Sequence, residues 1–134
     1  MTLLKLYGVT ALAFFALDLA WLGVVARGFY RAHMGHLLRA EVLWPAALAF
    51  YAIYIAGILV FAVLPGLQSE SWPRALALGA FLGFVAYATF DLTALALIRD
   101  FPPIVVVVDL VWGVVLTSGV AAIAFGVGRW LGLG

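Results

Sequence analysis

Three aspartates stand where hydrocarbon is expected. Asp18, Asp91 and Asp109 each interrupt a long apolar segment, and together they are half of the six acidic residues. An ionisable group inside a membrane segment is expensive, so such positions are the first candidates for function. As a set, their chemistry is simple. No lysine or arginine lies at the same depth. Three carboxylates without a fixed counter-ion cannot all stay ionised, because desolvation and mutual repulsion both oppose it. Protons or a bound cation must balance them. The candidate chemistry is therefore proton uptake, or capture of a cationic or hydrogen-bond-donating ligand.

Each acid has fitting neighbours. Asp18 and Trp21 are spaced i, i+3, as are Asp109 and Trp112, so each pair shares a helix face. Ala75, Gly79, Gly83, Tyr87 and Asp91 recur every four residues, a stripe of small side chains that ends in a phenol and an acid. Small residues let membrane helices approach closely. Asp109, Gly113 and Thr117 repeat the pattern. The set expected to bind a ligand or proton is Asp18, Asp91, Asp109, Trp21, Trp112 and Tyr87, with Thr93 at the end of the Tyr87-Ala88-Thr89-Phe90-Asp91-Leu92-Thr93 stretch. Tyr51 and Tyr54 are expected to close the pocket. The plainer alternative is that protonated aspartates only join neighbouring helices by hydrogen bonds, and that the tryptophans only pack. No nucleophile–base pair follows from spacing, and no glycine pattern cradles phosphate.

The elements that must hold these residues follow from composition. Of 134 residues, 68% are hydrophobic and 10% charged, against about a quarter charged in a soluble domain. The expectation is an all-α integral membrane protein, residues 1–134 forming a single transmembrane domain. Spanning takes roughly 20 mostly apolar residues, and four segments qualify, at about 3–26, 42–64, 73–98 and 103–127. The first is expected to be a retained helix rather than a signal peptide, since Asp18 lies within it and no cleavage site follows. Pro65-Gly66 is expected to stop the second, and Gly128-Arg129 the fourth. The valine run 105–108 would suggest a strand in water, but a lone strand cannot satisfy its backbone in lipid. A four-transmembrane-helix bundle is the expected fold.

Direction along the helices adds depth. Asp18 lies nine residues before Arg27, Asp91 eight before Arg99, and Asp109 six after Pro103. At ~1.5 Å per residue, each acid is about 9–13 Å from the same side of the membrane. Three separate spans thus place a carboxyl at one level. The link 28–41 reads as a short interfacial helix between helices 1 and 2, with Phe29, Leu37 and Leu38 at the acyl boundary and Arg31, His33, His36 and Arg39 at lipid headgroups. His33 and His36 alone make a poor metal site, and neither a metal nor a cofactor is expected. Four arginines on that side oppose Lys5, Arg74, Arg129 and the terminal amine on the other, a small excess that places residues 27–41 and 99–103 in the cytoplasm. Net charge is +1, with no nucleic-acid footprint, and zero cysteines exclude disulfides and thiol chemistry.

Several motifs occur together: Asp18-Leu19-x-Trp21-Leu22-Gly23, Phe29-Tyr30-Arg31, Gly35-His36-Leu37-Leu38, Phe50-Tyr51, Phe61-Ala62-Val63-x-Pro65, the stretch from Tyr87 to Thr93, and Asp109-x-x-Trp112-Gly113. With these, the chain resembles the uncharacterised bacterial family of predicted four-helix membrane proteins known as domain of unknown function 2177. That family pattern has Tyr where this chain has Phe90 and Asn where it has Ala94, so no phenol or amide is available there. The resemblance implies a multi-pass protein of the bacterial cytoplasmic (inner) membrane and supplies no activity. On the residues, the leading expectation is binding or proton-coupled transport of a cationic or lipophilic small ligand, with a homodimer enclosing the pathway. The alternatives are a membrane enzyme acting on a lipid or isoprenoid, and a non-catalytic accessory subunit of a larger membrane complex.

Overall fold

The computed structural model describes residues 2–38 and 41–133, and for residues 25–27 the backbone alone. Among the described residues every regular element is helical. Helix α1 (Thr2–Ala20) runs through a π-helical turn, Trp21–Val25, into α2 (Ala26–Met34). Helix α3 (Trp44–Ile58) runs through a second π turn, Leu59–Val63, into α4 (Leu64–Gln68). Helices α5 (Trp72–Leu97) and α6 (Pro103–Trp130) are uninterrupted. Four helical stretches are long and apolar enough to cross a membrane: Thr2–Val24, Trp44–Gln68, Trp72–Leu97 and Pro103–Trp130. The valine run lies inside α6 and is helical throughout.

Two helix ends differ from expectation for clear reasons. Pro65-Gly66 does not stop the second span, which continues to Gln68. Proline removes a backbone donor from the i→i−4 ladder. Here it sits in the first turn after the Leu59–Val63 π turn, where the ladder is already displaced by one residue. Nor does Gly128-Arg129 end the fourth. The stop is Gly132, with φ +73°. The Leu133 N–H donates to Gly128 O at 2.7 Å and the Gly132 N–H to Arg129 O at 3.1 Å, the paired bonds of a Schellman cap. Leu133 then folds back into the core. Helix α5 starts where Ser71 accepts the Arg74 N–H at 3.2 Å, with Pro73 in the first turn.

The helix separating the first two spans is not detached. Helix α2 continues the first span, and its Phe29, Tyr30 and Met34 pack against Ala94, Phe101, Val105 and Val106 from the ends of α5 and α6.

One core draws on all four spans, through Leu6 and Phe14, Ile55 and Ile58, Ala75, and Leu116 and Val120. The closest pairing is α5 on α6. A Cβ at Gly79 would meet Thr117 O at 2.9 Å, and one at Gly83 would collide with the Gly113 carbonyl. Close approach of this kind replaces the hydrophobic drive that lipid does not supply. Hydrogen bonds join the others: Tyr54 Oη lies 2.6 Å from Thr117 Oγ1 in the core, and the Tyr7 hydroxyl donates to Ala52 O at 3.0 Å on an exposed face.

Candidate functional site

Asp18, Asp91 and Asp109 are all buried, at 8%, 0% and 9% exposure, and none points to the outside. Asp18 projects from α1, Asp91 from α5 and Asp109 from α6. Asp91 faces Asp109, and Asp18 lies between the Trp112 indole and the Tyr51 phenol. The approach of α5 to α6 sets this up. Gly83 lets the backbones touch at the Gly113 carbonyl, and Gly113 leaves the room that the Tyr87 ring occupies.

Around the acids is a cavity of about 420 Å³. Asp18 and Asp109 line it, as do Trp21, Trp112 and Tyr87. Trp21 and Trp112 stack face to face, with centroids 4.4 Å apart and planes 9° from parallel. The i, i+3 pairs on two helices thus become one aromatic wall with an acid at each foot. Tyr51 lines the cavity, whereas Tyr54 turns into the core toward Thr117. Asp91 sits behind Asp109, outside the lining, with neither carboxyl oxygen hydrogen-bonded; Trp112 Nε1 is also buried without an acceptor. The rim carries Leu22, Phe50 and Phe90, all substantially exposed.

The other expected site residues lie elsewhere. Thr93 is exposed on the far side of α5 from Asp91 and does not line the cavity. Arg31, His33 and His36 are exposed on and just after α2. His33 Nδ1 is 2.9 Å from Phe29 O, which fixes its ring over Phe29. Arg39 lies outside the described residues. Among the described residues, no three His, Asp or Glu side chains gather to hold a metal ion. The ion pair among them, Arg129 with Glu70 at 3.9 Å, is at the opposite end of the molecule.

One participant is absent from the expected set. The Tyr30 hydroxyl, from α2, donates a hydrogen bond to Asp109 Oδ1. Burial, then the adjoining Asp109 carboxyl, push the Tyr30 phenol well above its usual range, so it remains a donor. On a regular helix Tyr30 falls about 120° around from Asp18, but a π turn adds one residue and reduces that to about 20°. The Trp21–Val25 turn is what brings Tyr30 to the acids.

Residues 3–126 match the family described as "Predicted membrane protein (DUF2177)". The chain belongs to that family. No curated protein and no solved structure matches. The family's extent takes in the three aspartates, both stacked tryptophans and Tyr30, so the whole cavity falls within it.

Proposed function

We propose that the protein is a four-helix bundle of the bacterial inner membrane that binds a lipophilic cation in its acid-lined cavity, with proton-coupled transport as the working form. The observation that carries this reading is the composition of one cavity. Two carboxyls and a tryptophan stack line it, while exposed Leu22, Phe50 and Phe90 form its rim. A soluble cation would need a wet approach. A lipophilic one can enter sideways from hydrocarbon and neutralise the acids that no lysine or arginine side chain among the described residues pairs with. Asp91 supports the proton half: it is wholly buried beside Asp109 with no hydrogen-bond partner. Like charges this close oppose one another, so a proton and an arriving cation would compete for the pair. A single small bundle would enclose a pathway as a homodimer.

Equilibrium binding of tetraphenylphosphonium to the purified chain in dodecyl maltoside tests the first half. Joint replacement Asp18→Asn with Asp109→Asn is expected to weaken binding at least about tenfold. Binding that survives it unchanged removes the reading. The second half is tested in proteoliposomes, where Asp91→Asn should abolish uptake driven by a pH gradient and leave tetraphenylphosphonium binding measurable. Uptake at the wild-type rate would separate binding from protons.

A further inference from the structure

We infer that this cavity selects fully alkylated ammonium groups over primary ammonium; the inference rests on the acid-cavity reading above. A cation without N–H groups is held by aromatic faces and by nearby charge, and needs no acceptors of its own. A primary ammonium is strongly hydrated and brings three donors that must all be satisfied once water is lost.

The cavity matches the first ligand and not the second. Its walls are aromatic on three sides. The stacked Trp21 and Trp112 form one. Tyr51, edge-on to Phe14 with centroids 5.7 Å apart, forms another. Tyr87 forms the third, seated in the space that Gly113 leaves. Of the two acids that line it, Asp109 already accepts the Tyr30 hydroxyl through Oδ1, and Asp18 sits beside the Tyr51 and Trp112 rings. The walls themselves present ring faces and not acceptors. A primary ammonium would have to satisfy three donors from the few carboxyl oxygens at one end of the cavity; a trimethylammonium group needs only the rings and the nearby charge. The exposed apolar rim takes an attached alkyl chain.

The test compares hexyltrimethylammonium with hexylammonium by calorimetric titration of the full chain in dodecyl maltoside at pH 7, where both probes are cations. The quaternary probe is expected to bind at least about tenfold more tightly. Trp21→Leu is expected to bring the two affinities within about twofold, chiefly by weakening the quaternary probe. Asp18→Asn should weaken both and keep their ratio. Equal affinities in the wild-type protein, or tighter binding of hexylammonium, overturn the selectivity and leave the acid-cavity reading standing. Absence of binding by both probes overturns the two together. The wild-type ratio decides the matter even if a variant fails to fold.

Discussion

The Tyr30–Asp109 hydrogen bond ties α2 to α6 at the site, and it is the clearest place to ask what one atom does. Removing the hydroxyl in Tyr30→Phe leaves the ring in its packing against the α5 and α6 ends and takes away only the donor. An interhelical bond in a membrane protein is worth about 1 kcal/mol, so thermal unfolding in detergent should show a loss of that order and no collapse. The bond has a defined pH sense. Since the folded phenol is raised, its contribution is whole below the free phenol's pKa of about 10 and fades only at higher pH. The stability difference between wild type and Tyr30→Phe should accordingly be flat from pH 6 to about 9. A difference that shrinks across that interval would mean the bond is not what holds α2. Asp18, Asp91 and Asp109 were legible in the sequence because an acid in an apolar run stands out whatever the fold. Tyr30 was not, because its face depends on a turn geometry that composition does not encode.

At the scale of elements, the α5–α6 contact decides where Asp91 and Asp109 meet. Gly83→Val places side-chain atoms where the Gly113 carbonyl lies. Overpacking of this kind costs about 1–3 kcal/mol, and should also weaken tetraphenylphosphonium binding by spreading the site. Gly8→Ala is the control: it has open space around its Cβ and is expected to be neutral or to stabilise by up to about 1 kcal/mol. Equal effects of the two substitutions in a detergent melt would refute the close-packing account. The four-residue stripe Ala75, Gly79, Gly83 was readable beforehand, as were the four spans themselves, since small-residue spacing and apolar length are properties of the string. The ends were read less well. Gly128 and Gly132 are equivalent on paper, and only Gly132 takes the left-handed conformation that closes a helix. Pro65 reads as a breaker until the preceding π turn absorbs the missing donor.

For the whole molecule the open question is which way it faces. Trp44 marks one end of the spans, and Trp72 and Trp130 the other, all three exposed as an interfacial belt requires. The arginine excess lies with Trp44. Because the chain has no cysteine, a single introduced one reports its own side cleanly. In intact cells Ser69→Cys should react with a membrane-impermeant maleimide, and His36→Cys only after the membrane is opened. The reverse pattern would invert the orientation and put the nearer mouth of the acid level outside.

The π turn at Trp21–Val25 makes the distance along the chain, and not only the identity of its residues, part of the site. Wound as regular helix with all its residues kept, the segment would carry Tyr30 about 100° off Asp109, whereas deleting Gly23 would straighten the turn and leave Tyr30 near its present face. Among relatives, a regular helix here should come with one residue fewer, and a π turn with the count this chain has. Adding one residue there should do more harm than removing one.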